Sequence, residues 1–130
     1  EKEIMIIDRL YTKEHEWVKI DGERAIVGIS EHAAHALGDI TFIELPKIGT
    51  QVKQMEKLAV IESIKAVSDV YSPVTGKVAQ VNTVLENTPE LLNKSPEDQG
   101  WICVLTGFSA EESKNLMSSD DYEKYVESAE

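Results

Sequence analysis

The sequence contains a single cysteine, few cationic side chains and no long hydrophobic run. Cys103 cannot form a disulfide within the chain, so a reducing compartment is the simpler expectation. Because it stands in an apolar segment, residues 101–105, it is typical of a buried packing residue rather than of a nucleophile. The apolar stretches are short, as in residues 58–61, and none approaches the ~20 residues that a membrane span requires. The sequence therefore predicts a soluble protein.

Acidic residues dominate the charge. The chain has 13 Lys plus Arg against 24 Asp plus Glu, which gives a net charge of −11. A surface of that sign repels phosphate backbones and anionic headgroups, so we expect neither nucleic acid nor a membrane as a partner. The charge suits docking onto basic patches of other proteins. It suits a role in solubility equally well, and charge by itself leaves both interpretations open.

Short strand-like segments with turn signals between them make up most of the chain. Asp21 and Gly22 form a hairpin dipeptide between two such segments. Ser30 is expected to be the N-cap of a short helix that ends at Gly38. Short strands with turns about every 8–12 residues predict a mainly β fold, either a small barrel or a sandwich.

The character of the sequence changes at Ser109. Ser109 and Glu112 have the spacing of a capping box, which predicts a helical turn. A second short helix is expected near Asp120, with Tyr122 and Tyr125 on one face. This tail is too short to be a domain of its own. We therefore expect residues 1–130 to form one domain, with a β core of about 11–108 and a helical tail of about 109–130 packed on it.

Lys65 lies between two of the predicted strands. Its neighbours Ile64 and Ala66 offer it no ion-pair partner, and a tight turn would project its side chain outward. That geometry suits enzymatic acylation, which needs an accessible amine and removes its charge. An ordinary exposed turn lysine is the alternative, and the spacing alone leaves both open.

Residues 62–66, followed by residues 68–69 and 72–76, resemble the attachment motif of glycine cleavage system H proteins. Further matches occur in the correct order and extend the resemblance from Tyr11 to about Tyr125. They comprise residues 15–17, 27–30, 36–39, 44–46 and 100–101. Biotinyl domains differ because they place methionine on both sides of the lysine. Lipoyl domains of 2-oxoacid dehydrogenase complexes differ because they lack the His-Glu-Trp motif and the helical tail.

The resemblance implies a lipoyl/biotinyl-type flattened β-barrel sandwich, or barrel-sandwich hybrid, with short helices and a C-terminal helical tail. It also implies that Lys65 carries lipoate as a covalent cofactor. The lipoylation motif that the resemblance assigns around this lysine consists of Glu62, Ser63, Ile64, Ala66 and Asp69.

H proteins are non-catalytic carriers, so the resemblance implies partners rather than a reaction of the chain itself. The implied partners are glycine decarboxylase (P protein), aminomethyltransferase (T protein), dihydrolipoamide dehydrogenase (L protein) and the lipoate-attaching enzymes. The chain would shuttle the aminomethyl intermediate from P protein to T protein and reducing equivalents to L protein. Bacterial cytoplasm and mitochondrial matrix both remain open as its location.

H proteins fold the loaded arm into a surface cleft that excludes water. The resemblance makes Glu16 and Asp69 candidates to meet the cationic amine of the arm, with Glu14 and His15 nearby. Some relatives carry a histidine where this chain has Ala36, and His35 beside it is the candidate substitute. The alternative interpretation of these residues is that they cap turns or face solvent.

The sequence also bears on two alternative functions. An H-like protein that relays lipoyl groups to other 2-oxoacid dehydrogenase complexes would carry the same modified Lys65. A hydrolase is disfavoured because no nucleophile stands beside a suitable histidine and acid. His32 and His35 are three residues apart, but no third ligand converges on them, so no metal site is predicted.

Overall fold

The protein is described here by a computed structural model covering residues 6–129, with side chains from Arg9 to Ser128. The strands are β1 (Ile6–Tyr11), β2 (Glu16–Asp21), β3 (Arg24–Ile29), β4 (Ile40–Glu44), β5 (Gln51–Val52), β6 (Lys57–Ser63), β7 (Val67–Tyr71), β8 (Gly76–Val81), β9 (Cys103–Thr106) and β10 (Met117–Ser118). The helices are α1 (Glu31–Leu37), α2 (Val84–Asn87), α3 (Leu91–Lys94) and α4 (Ser119–Ala129), with a 3-10 helix at Ala110–Asn115.

The strands form two antiparallel sheets. The larger sheet has seven strands in the order β10-β1-β2-β3-β9-β8-β5, and the smaller has three in the order β4-β6-β7. The mainly β fold that the sequence predicted is confirmed, and of its two alternatives, a barrel or a sandwich, the structure shows the sandwich. Within residues 6–129 the two sheets lie against each other and do not close into a barrel.

The main core lies between the sheets. Val18 and Val27 from the larger sheet and Ile61 from the smaller one are fully buried in a single hydrophobic cluster. Residues 58–61 were predicted to be a buried strand, and they lie within β6. Burying apolar area from both sheets at once holds the small sheet in place, since three strands alone bury little surface.

A second cluster holds the helical tail against the larger sheet. Its centre is Trp17, which is 1% exposed and donates from Nε1 to the carbonyl oxygen of Pro96 at 3.0 Å. Gly28 faces the indole so closely that an added Cβ would lie 2.6 Å from the ring. Tyr11 stacks on Tyr122 of α4 with ring centroids 4.3 Å apart. Burial of the Trp17 side chain is worth roughly 4–6 kcal/mol by area.

The helix α1 begins and ends where the sequence predicted. The hydroxyl of Ser30 accepts a hydrogen bond from the backbone N–H of Ala33, and Gly38 follows the helix with φ of 77°. Asn93 of α3 then fixes the chain that leaves the helix. Its amide donates to the carbonyl of Gly38 at 2.8 Å and accepts from the N–H of Ile40 at 2.9 Å.

The tail differs from the prediction in one contact. Ser109 caps the 3-10 helix by accepting from the N–H of Glu111. Glu112 does not complete a capping box, because its carboxylate accepts from the N–H and hydroxyl of Thr75, at 2.8 and 2.6 Å. The side chain is therefore used to attach the tail to the turn before β8. Among residues 6–129, no helix is long and apolar enough to cross a membrane.

Candidate functional site

Lys65 lies at the tip of the hairpin that joins β6 to β7. The N–H of Ser63 donates to the carbonyl of Ala66 at 2.8 Å, which closes the turn. The Ser63 hydroxyl accepts from the N–H groups of Lys65 and Ala66, at 3.3 and 3.1 Å. Glu62 and Val67 pair across the strands directly behind the tip. The backbone at Lys65 is thus fixed by hydrogen bonds on both of its sides.

The tip is also attached to the chain that leaves α1. Ile64 donates from its N–H to the carbonyl of Asp39 at 3.0 Å. The aliphatic part of Lys65 passes over Gly38, where an added Cβ would lie 3.3 Å from Cε and 3.9 Å from Nζ. Gly38 therefore supplies both a left-handed turn and the room for the lysine side chain.

The amine of Lys65 faces solvent. The residue is exposed, and in the part of the chain that the structure describes it makes no ion pair. Of the other motif residues, Glu62 and Ala66 are exposed, and Asp69 lies 3.9 Å from Nζ of Lys57. An exposed amine on a fixed backbone is the arrangement that a modifying enzyme requires.

Glu16 is the least exposed of the predicted cleft residues, at 1%. One carboxylate oxygen accepts from the hydroxyl of Thr12 and the other from the N–H of Tyr71 at 3.0 Å. Burial raises the pKa of the Glu16 carboxyl above its ordinary value, and the hydrogen bonds from Thr12 and Tyr71 partly offset that rise. The side chain joins the start of β2 to the end of β7.

His15 takes part in a different cluster. It has φ of 73°, and its Nδ1 is hydrogen-bonded to the hydroxyl of Tyr122 at 2.7 Å. That hydroxyl is also 2.8 Å from the hydroxyl of Ser30, and the ring of His32 lies 4.7 Å from that of His15. Burial lowers the pKa of His15, and the neighbouring His32 lowers it further. These contacts connect the start of α1 to α4.

The structure separates the predicted cleft residues into groups. Glu14 is exposed and adjoins His15 and Glu16 in the sequence. Asp69 lies on β7, two residues before Tyr71, whose N–H donates to Glu16. His35 instead lines a groove of about 680 Å³ between α1 and α3. Among the described contacts, no hydrogen bond or ion pair joins His35 to the others.

Sequence reasoning missed the residues that support the tip. Gly38 was recognised as a helix end, but its contact with Lys65 depends on tertiary packing. Asn93 was not singled out, because its two hydrogen bonds reach residues more than fifty positions away. The sequence feature that could have pointed to these supports was the short interval between the end of α1 and the start of β4.

Comparisons with known proteins agree on one family. Residues 9–129 match the family model described as Glycine cleavage H-protein. A protein named glycine cleavage system H protein from Xylella fastidiosa is 52% identical over 124 residues, which cover 95% of this chain and 95% of that protein. One of the same name from Listeria welshimeri is 53% identical over 117 residues, covering 90% of this chain and 94% of that protein. The crystal structure of a glycine cleavage system H protein from Mycobacterium marinum is similar with a TM-score of 0.82 at 32% identity, covering 92% of this chain and 96% of that one.

Proposed function

The chain belongs to the glycine cleavage H-protein family, and from that premise we propose that it is a non-catalytic carrier with lipoate attached to Lys65. In this role it takes the aminomethyl group from glycine decarboxylase to the aminomethyltransferase and delivers reducing equivalents to dihydrolipoamide dehydrogenase. The observation that supports the proposal most directly is the exposed Lys65 amine on a hydrogen-bonded hairpin tip. The alternative role as a lipoyl relay to other complexes is not favoured by the family match.

The residues around Lys65 fit a lipoyl group. When bound, that group supplies a disulfide that takes up a carbon unit and two electrons and later gives both up. The chain's own contribution is to hold the attachment point. Ser63 and Asp39 fix the backbone through their hydrogen bonds, and Gly38 leaves the space through which the side chain emerges.

Attachment requires the Lys65 amine as a nucleophile. Nζ forms an amide bond with the carboxyl carbon of lipoate, which the attaching enzyme supplies as an acyl adenylate. AMP leaves, and Nζ loses two protons in passing from ammonium to amide. An ordinary lysine has a pKa of about 10.4, so the attaching enzyme must also accept the first proton. The chain contributes access, since no carboxylate pairs with Nζ in the described structure.

The sheltering surface is a further part of the proposal. We assign it to a region that includes Glu14, Glu16 and Asp69, with His15 beside Glu16 in sequence and His35 on α1. Glu14 and Asp69 are exposed, so their carboxylates are available to a cationic amine on the arm. Glu16 is buried with both oxygens already hydrogen-bonded, so its part is to hold β2 against β7.

Intact-mass measurement tests the attachment site. We expect the wild-type chain, treated with a lipoate–protein ligase, lipoate and ATP, to gain one lipoyl group. Lys65→Arg should gain none, and Lys53→Arg, which changes another exposed lysine, should behave as wild type. A wild-type chain that stays unmodified, or a lipoyl mass that persists in Lys65→Arg, would contradict the proposal.

Reconstitution tests the carrier role. With purified P, T and L proteins, tetrahydrofolate and NAD, release of carbon dioxide from glycine should depend on the lipoylated chain. It should be lost with Lys65→Arg. Equal carbon dioxide release without the chain would exclude the role, while support of pyruvate dehydrogenase lipoylation alone would favour the relay.

A further inference from the structure

Few large apolar side chains are exposed in the described part of the chain, and half of them surround Lys65. Phe42 is 49% exposed, and Ile64 and Val67 are each 71% exposed. The full set comprises Phe42, Ile48, Met55, Ile64, Val67 and Val84. Single exposed apolar residues need no explanation, but several that adjoin one another on a monomer mark an interaction site.

Strand register shows that these residues share one surface. Phe42 of β4 pairs with Glu62 of β6, and Glu62 pairs with Val67 of β7. Residues paired directly across strands lie on the same face of a sheet. The adjacent row, which includes Ile43 and Ile61, points inward and is buried. Phe42 and Val67 therefore lie on the solvent side of the small sheet.

The row beyond extends this surface away from the tip. Glu44, Val60 and Asp69 are paired across the same strands, and Val60 is only partly buried. We call this surface the outer face and define it by Phe42, Val60, Glu62, Ile64 and Val67. Lys65 lies at its end, between Ile64 and Val67 in sequence.

A groove continues the outer face on the β4 side. Its volume is about 680 Å³, and Phe42 forms one wall, with Pro46, Ile48 and Val81 among its other lining residues. Ile48 is 68% exposed there. A partner that covers the outer face could thus seat an apolar side chain in this groove, as the central residues of many interfaces do.

Besides Lys65, the charged residues around the outer face are mainly acidic. Glu44 and Glu86 border the groove, and Glu62 stands between Phe42 and Val67. The cations nearby are Lys47 on the groove and Lys57, which is paired with Asp69. The complementary partner surface has an apolar centre surrounded by lysine and arginine.

We propose that the outer face is the docking surface for the enzyme that attaches lipoate to Lys65, an inference that rests on the proposed lipoylation of this residue. Acylation takes place at Nζ itself, so the attaching enzyme must bring its active site to the hairpin tip. It then necessarily covers Ile64 and Val67, which flank the lysine. Enzymes that act on the far end of the arm have no such requirement.

Steady-state lipoylation kinetics test the proposal. The variant is Phe42→Ser combined with Val67→Ser, and the matched control is Met55→Asn, which changes an exposed apolar residue outside the outer face at φ of 69°. With a lipoate–protein ligase, lipoate and ATP, we expect the double variant to raise the KM for the chain about tenfold, equivalent to about 1.4 kcal/mol. We expect kcat to be unchanged, because Lys65 and its hydrogen bonds remain. Met55→Asn should leave both constants at their wild-type values.

The outcomes separate this inference from the function it rests on. Wild-type protein that cannot be lipoylated would refute the proposed function. Normal lipoylation of wild type with an unchanged KM in the double variant would refute the docking surface alone. A variant that is lipoylated normally but raises the KM of P, T or L protein would assign the face to that enzyme and overturn the proposal.

A second measurement does not depend on the folding of the double variant. Hydrogen exchange of Lys65→Arg can be compared with and without the ligase, since this chain cannot be consumed. We expect added protection in β4, the β6–β7 hairpin and the chain around Ile48, with β1 and β10 unchanged. Protection confined to β1, β10 or α4 would contradict the proposal.

Discussion

At the scale of single residues, substitution of Gly38 can separate the effect of backbone strain on stability from an effect on the Lys65 side chain. Gly38 and Gly107 both have a positive φ, of 77° and 76°. An added Cβ at Gly38 meets Cε of Lys65, whereas at Gly107 it meets nothing within 4 Å. Alanine at either position should cost stability, on the order of 1–3 kcal/mol, because both substitutions place an L residue at positive φ.

We therefore expect both Gly38→Ala and Gly107→Ala to lower the free energy of unfolding in urea. Only Gly38→Ala should also slow the lipoylation of Lys65, because only there does the new methyl group displace the lysine side chain. Urea titration and the initial rate of mass gain measure the two effects separately. Equal lipoylation rates for the two variants would show that Gly38 has no role beyond its backbone angle.

Glu16 gives a prediction about pH. Burial raises the pKa of its carboxyl above the ordinary 4.5, so folding favours the protonated form. The stability that this contributes is present in full below the unfolded-state pKa and is lost as pH rises through the raised folded-state value. Compared with Glu16→Gln, which does not titrate, wild type should lose relative stability as pH rises across this range.

Urea unfolding of both proteins at a series of pH values measures this difference. The substitution also changes the hydrogen bonds to Thr12 and Tyr71. That change shifts the free energy of unfolding by an amount that is constant with pH, so it does not affect how the difference between the two proteins varies with pH. A difference in unfolding free energy that stays flat with pH, or that rises in favour of wild type, would contradict the raised pKa.

At the scale of elements, His15 links the attachment of α4 to pH. His15 shares a hydrogen bond with Tyr122 of α4 and lies against the ring of His32. Its pKa is lowered from 6.5, chiefly by burial. The stability from neutral His15 is present above the unfolded-state pKa and is lost as pH falls through the lowered value. Acidification should thus loosen α4 before it unfolds the sandwich.

Amide exchange along α4 is the measurement for this prediction. Protection near Tyr122 and Val126 should fall on acidification, while protection in β6 persists. His32→Gln removes the neighbouring imidazole that lowers the pKa of His15, so the pKa of His15 should rise in an NMR titration. An unchanged His15 titration in that variant would show that burial alone sets the pKa.

The elements also show what sequence could and could not predict. The limits of α1 were predictable because Ser30 and Gly38 act through bonds to residues three or four positions away. The paired strands β5 and β10 were not, because two residues become a strand only where a partner strand lies beside them. For the same reason the local motif predicted a site at Lys65, whereas the contacts of Gly38 and Asn93 with the hairpin tip and the chain behind it were missed. Glu112 was misassigned because a local partner was assumed where a distant one was available.

At the scale of the whole molecule, the net charge of −11 should appear in association rates. The kcat/KM for lipoylation should fall as salt is added, since screening weakens the attraction between an acidic chain and a basic partner surface. Combining Glu44→Gln with Glu86→Gln should lower this constant at low salt and flatten its salt dependence. Combining Glu111→Gln with Glu123→Gln removes two exposed charges from the helical tail and should change it less. Equal effects of these substitutions would mean that only total charge matters.

If the chain is the carrier proposed above, the hydrogen bond between Ile64 and Asp39 has a consequence for the whole molecule. Because it immobilises the root of the Lys65 side chain, the volume that the end of a flexible arm explores is set by the arm and hardly at all by the protein. The local concentration of the arm's end at a docked enzyme is then as high as its length permits. Glycines inserted beside Lys65 would enlarge that volume, and the local concentration would fall roughly as the −3/2 power of tether length. In the proposed carrier, the short, fixed hairpin would therefore keep the tethered reactant concentrated.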